Sequence, residues 1–129
     1  MQCQSSDLSF HRSATVYRLK NYLLMHLRDP DLSMPQAAAA MGISARYARQ
    51  LLADEQTSFR SYIQGQRLDR CRRDLTDPRH ATRNVGDVAF AWGFNDLAHF
   101  SRIFKQRFGV SPRDCRNGGA PRAEHAGAE

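Results

Sequence analysis

Two stretches of this chain repeat one pattern, and that pattern admits few folds. "AAAAMGISARYARQLL", residues 37–52, aligns with "VAFAWGFNDLAHFSRIF", residues 88–104. Ala38 stands four residues before Gly42, and Ala89 four before Gly93. Each glycine is followed by an apolar residue, Ile43 or Phe94, and then by a polar residue of the helix-capping type, Ser44 or Asn95. Further on, "TSFRSYI" (57–63) matches "VSPRDCR" (110–116), so the offset between copies drifts from 51 to 53 residues. A supersecondary unit used twice is the physical meaning of such a repeat.

The unit itself reads as a helix-turn-helix. A small alanine lets two helices cross closely, and the glycine supplies the positive φ of a tight turn. Helical spacing then buries Ala48, Leu51 and Leu52 in the first copy and Phe100, Ile103 and Phe104 in the second. What remains is an outer face carrying Arg46, Arg49 and Gln50 in one copy and Ala98, His99 and Arg102 in the other. A helix of this kind lies in the major groove of DNA and offers its N-terminal side chains to base edges.

The rest of the chain reads as helices, since no run alternates with period two. A first helix is predicted over Ala14 to Leu27, with Val16, Leu19, Leu23 and Leu27 on one face, stopped by "RDPD". Others are predicted at Pro35–Met41, at Ala45–Asp54 capped by Ser44, at Phe59–Leu75, from Asn84 to Trp92, at Asp96–Phe108 capped by Asn95, and from Ser111-Pro112. In domain terms, residues 1–13 are expected to be a linker or the remnant of a preceding domain. Residues 14–57 form a first helix-turn-helix subdomain, 58–76 a central linker helix, 77–116 a second subdomain and 117–129 a disordered tail.

Charge points to the partner. The chain has 129 residues and a net charge of +6, and all its cations except Lys20 and Lys105 are arginines. A basic balance favours polyanions, nucleic acid before anionic membrane. No segment holds 18 continuous apolar residues, and the N-terminus has no basic start followed by an apolar run, so neither a membrane span nor a secretory leader is expected. Cys71 and Cys115 read as small core hydrophobes in a reducing, cytoplasmic setting, since no metal or redox spacing links the three cysteines. Neither cofactor nor metal is expected. Nor is catalysis: paired carboxylates, a nucleophile beside a base and a Gly-rich phosphate loop are all missing from the motifs.

"WGFNDLAHFSRIFKQRFGVSP" resembles the second-half signature of the AraC/XylS family of bacterial transcription regulators, and residues 32–76 resemble its first half. The resemblance covers residues 15–116. It implies an all-α domain of about seven helices: two helix-turn-helix, homeodomain-like subdomains joined by a long central helix. By position in the motif it implies base contacts by Arg46, Arg49 and Gln50 and by Ala98, His99 and Arg102, with phosphate contact or plain solvation as the alternative for each arginine, and a phosphate contact or a place at the groove edge for His99. Arginine pairs bidentately with guanine and glutamine with adenine, while Ala98 offers only a methyl contact to thymine. Ser44 and Asn95, at helix N-termini, and Ser101, Lys105 and Arg107 are candidate phosphate contacts. The aromatics Trp92, Phe94, Phe100, Phe104 and Phe108 read as core rather than as stacking platforms.

The resemblance further implies regulation of transcription, chiefly activation, with RNA polymerase as partner. The domain is expected to act as a monomer, any dimer forming through a missing N-terminal domain. The alternative is a basic helical module binding RNA or a protein. A central helix of 17 to 19 residues spans about 27 Å, against about 34 Å for a turn of DNA, so two reading helices are expected in successive major grooves. Two departures from the family stand out. Gln56 replaces a glycine at the end of the first reading helix, which makes a left-handed cap costly and shortens the turn. "AAAA" replaces bulkier residues, which predicts a loosely packed first subdomain.

Overall fold

The computed structural model describes residues 2–118, with side chains from Phe10 onward. Among them every regular element is helical: α1 (Gln2–Met25), α2 (Met34–Met41), α3 (Ala45–Asp54), α4 (Phe59–Leu75), a 3-10 turn (Pro78–His80), α5 (Val85–Ala91), α6 (Leu97–Phe108) and α7 (Pro112–Arg116). The all-α, seven-helix expectation is met. The chain divides into two compact units within α4, between Gly65 and Gln66. Of the expected tail, everything after Gly118 lies outside the described residues.

In the first unit α1 packs against α2 and α3. Leu19, Leu23 and Leu27 are essentially inaccessible, as are Ala37, Ala38, Ala48 and Leu52. Each buried leucine contributes about 2 kcal/mol. Ala37 and Ala38 are fully covered, so half of the "AAAA" run sits in the core and its small side chains let the helices close on one another. Thr15 is buried too, and its hydroxyl donates to the His11 carbonyl at 2.9 Å.

The first helix differs from expectation. It starts at Gln2 rather than near Ala14, because no proline or glycine interrupts the chain before Pro30. The stretch read as a linker thus continues α1. Arg12 pairs with Asp54, and Lys20 with Glu55 at 2.8 Å, which ties α1 to the end of α3.

In the second unit α5 and α6 enclose Val88, Ala89, Phe100 and Phe104. Phe94, Phe100, Phe104 and Phe108 form a chain of tilted ring contacts with centroids 4.6 to 5.6 Å apart. Burial of Trp92, Phe94, Phe100 and Phe104 agrees with their reading as core. Cys71 and Cys115 are buried free thiols, and burial pushes Cys115 above its usual range.

The repeat can be followed residue by residue. Gly42 and Gly93 both have positive φ, and each opens a turn in which the next residue's N–H returns to the helix: Ile43 to the Ala38 carbonyl at 3.0 Å, Phe94 to that of Ala89 at 3.1 Å. After that turn the copies differ. Ser44 caps α3, but Asp96, not Asn95, caps α6, its carboxylate accepting from the His99 N–H at 3.0 Å. One extra residue therefore sits in the second turn. A second enters α6 itself, so that Gln56 matches Gly109 and Ser58 matches Ser111. Gln56 has φ 62° and Gly109 has φ 77°.

Candidate nucleic-acid interface

α3 is a short helix with unlike sides. Ser44 Oγ accepts from the Tyr47 N–H at 3.0 Å, satisfying one of the orphan donors at its N-terminus. Ala48, Leu51 and Leu52 are buried against the first unit, while Arg46, Arg49 and Gln50 are exposed. Arg46 and Arg49 make no side-chain hydrogen bond or ion pair among the described residues. Gln50 is held along the helix, its amide donating to Asp54 at 3.1 Å.

α6 repeats the division. Phe100, Ile103 and Phe104 are buried; Ala98, Arg102 and Lys105 are exposed; His99 and Ser101 are partly covered. Arg102 Nη2 lies 3.0 Å from His99 Nδ1. Arginine only donates, so in this contact His99 Nδ1 accepts. Asn95 is exposed in the turn just before the cap.

Arg107 stands apart from the other candidates. Five residues beyond Arg102, at about 100° each, it lies about 140° round the helix. There it makes a two-pronged pair with Asp69 of α4, Nε at 3.0 Å and Nη2 at 3.1 Å, beside the Phe108 ring. Its expected phosphate role would require breaking that pair. Lys105 keeps to the side of Arg102.

Three anchoring residues escaped the sequence reading. Asp74, buried in α4, accepts from Trp92 Nε1 at 2.7 Å. Arg116 of α7 donates to the carbonyls of His80 and Arg83, closing the 3-10 turn against the rest of the unit. Asp69 holds Arg107. The "TDPRH" run after α4 holds a 3-10 turn capped by Asp77, whose carboxyl is lowered to about 2 by its hydrogen bonds with Arg79.

Two capped second helices, each packed on one side and arginine-bearing on the other, define the helix-turn-helix class of DNA-binding protein. A family model described as a helix-turn-helix domain matches residues 37–118. The chain belongs to the AraC-type helix-turn-helix family of DNA-binding transcription regulators. Similar proteins include the transcriptional activator NphR of Rhodococcus sp., 34% identical over 122 residues, covering 95% of this chain and 34% of NphR. The activator RhaS of Klebsiella pneumoniae is 36% identical over 102 residues, covering 76% of this chain and 36% of RhaS. This chain thus spans about a third of the length of these relatives.

Solved structures share the fold. An AraC-type regulator from Chromobacterium violaceum superimposes with a TM-score of 0.74 at 23% identity, over 81% of this chain and 91% of that one. The C-terminal domain of the response regulator AraT from Geobacillus stearothermophilus gives 0.72 at 24% identity, over 82% and 86%. No helix among the described residues is long and apolar enough to cross a membrane.

Proposed function

We propose that this chain activates transcription by reading a bipartite duplex site, α3 taking one half and α6 the other. Arg46, Arg49 and Gln50 read bases in the first half-site, and Ala98, His99 and Arg102 in the second. Ser44, Asn95, Ser101 and Lys105 bear on phosphates, where they fix register without carrying sequence information. Arg107 is left out of this set, since it is engaged by Asp69. One chain per site is the reading unit, acting in the cytoplasm without catalysis, with RNA polymerase as its protein partner. The names of the relatives, both activators, support activation.

The observation that carries this reading is the shared geometry of the two second helices. In each, the packed face is filled by core side chains, and the face left over presents arginine near a capped N-terminus. The test is selection of bound duplexes from a random pool at fixed salt. It should return two half-sites about one helical turn, roughly 34 Å, apart. Arg46→Ala should relax preference in one half-site only, and Arg102→Ala in the other, each by about 1–3 kcal/mol of base discrimination. Equal loss on all sequences would make both residues phosphate anchors, and binding indifferent to duplex sequence would favour the RNA- or protein-binding alternative.

A further inference from the structure

Arg46, Gln50 and Asp54 follow one another at intervals of four along α3, and all three are exposed. They therefore lie in one row on its outer side. The row begins with a cation and ends in a carboxylate. The C-terminus of a helix carries partial negative charge, which an aspartate in the last turn opposes. A face that meets a polyanion is not helped by a negative end either. Neither helix stability nor attraction to phosphate accounts for Asp54.

Its contacts do. Arg12 of α1 takes Oδ2 of Asp54, and the Gln50 amide donates to Oδ1 at 3.1 Å. Arg12 offsets the charge, and the second oxygen is left to Gln50. An ionised carboxylate only accepts, so the Gln50 amide must turn Nε2 towards it. The flip that exchanges Nε2 and Oε1 would set oxygen against oxygen. A solvated glutamine turns either way; here one orientation is selected.

That selection changes what Gln50 can offer to a base. A glutamine amide has two N–H donors and one acceptor oxygen. With both donors free it can give them to O6 and N7 of guanine, or set its oxygen and one donor against N6 and N7 of adenine. Asp54 occupies one donor. One donor and one acceptor remain, the complement of adenine, whereas guanine would bring its O6 against Oε1, acceptor against acceptor. We infer that Asp54 is a positioning residue, which makes Gln50 choose adenine over guanine in the half-site that α3 reads. This rests on the reading of Gln50 as a base contact and adds what sets its choice.

The test is binding of the whole chain, at fixed salt, to duplexes built on the selected site and varied one base pair at a time. Gln50→Ala first locates the base pair whose preference depends on Gln50. There the unaltered chain should favour adenine over guanine, and Asp54→Ala should cut that preference about fivefold, the worth of one hydrogen bond. Preferences at the other positions should not move. In a Gln50→Ala background Asp54→Ala should change nothing at that base pair, an outcome that a merely structural role would not give. Arg12→Ala, which breaks the tie to α1 and spares the bond to Gln50, should keep the adenine preference while weakening binding to all duplexes alike. All three residues are exposed, so helix content by circular dichroism should stay unchanged. An adenine preference untouched by Asp54→Ala, or lost equally in Arg12→Ala, would overturn the inference and leave Gln50 a base reader. If no base pair depended on Gln50, the base contact itself would fall, and the inference with it.

Discussion

The indole of Trp92 donates to the Asp74 carboxylate at 2.7 Å, with both residues buried. The other carboxylate oxygen lies 3.9 Å from His80 Nε2 and 4.0 Å from Arg73 Nε. The last turn of α4 is thereby fastened to the turn that precedes α6. Removing the carboxylate strands a buried N–H, which costs about 1–3 kcal/mol. Asp74→Ala is expected to destabilise the second unit by that amount, and Asp74→Asn, which keeps an acceptor, by less. Trp92 is the chain's single tryptophan, so its fluorescence during urea unfolding reads this unit directly.

Gln56 adopts φ 62° where its counterpart in the other copy is Gly109. The Gln56 N–H bonds to the Ala53 carbonyl at 2.9 Å and the Thr57 N–H to that of Leu52 at 3.0 Å, a complete Schellman ending for α3. A side chain in left-handed geometry costs about 1–2 kcal/mol, partly offset by glycine's greater freedom in the unfolded chain. Gln56→Gly is expected to stabilise the protein by about 1 kcal/mol, visible as a rise of a few degrees in Tm. A lowered Tm would show that the strain is not there.

Lys105 and Arg107, two residues apart on α6, should behave differently on DNA. Lys105→Ala is expected to weaken binding to all duplexes alike and to reduce the salt slope by about 1. Arg107→Ala should leave that slope unchanged. It should instead cost at most about 1 kcal/mol of stability, because the Asp69 pair is largely exposed. Affinity titrations over a range of salt separate the two.

Asp77 is held low, at about 2, first by the Arg79 side chain and then by the Arg79 backbone N–H. A carboxyl depressed in the folded state adds stability above its unfolded value of 3.8, and the contribution is lost as pH falls through about 2. An NMR titration of the Asp77 carboxyl should show the low midpoint. In Arg79→Ala the midpoint should rise towards the ordinary range. An unchanged midpoint would mean that some other group holds the charge.

The exposed faces of α3 and α6 were largely legible before any coordinates. Arg46, Arg49 and Arg102 fell on the outer faces because helical spacing alone assigns Leu51, Leu52, Phe100 and Phe104 to the core. Less legible were the points where two residues compete for one role. Asn95 and Asp96 are nearly equal as caps, and the extra residue in the second turn settled the choice on Asp96. The helical start of the chain was missed because a polar stretch without Pro or Gly is compatible with either helix or linker.

What the sequence by itself determined is the pair of helix-turn-helix units, the Ser44 cap of α3 and the two glycine turns. Each of these rests on hydrogen bonds between residues no more than five apart, so short-range order is enough to specify them. What only the tertiary structure decided is which groups are engaged. Arg107 and Asp69 lie 38 residues apart, and Trp92 and Asp74 lie 18 apart. Packing between helices sets such pairs, and it separates the cations that hold the fold from those left exposed.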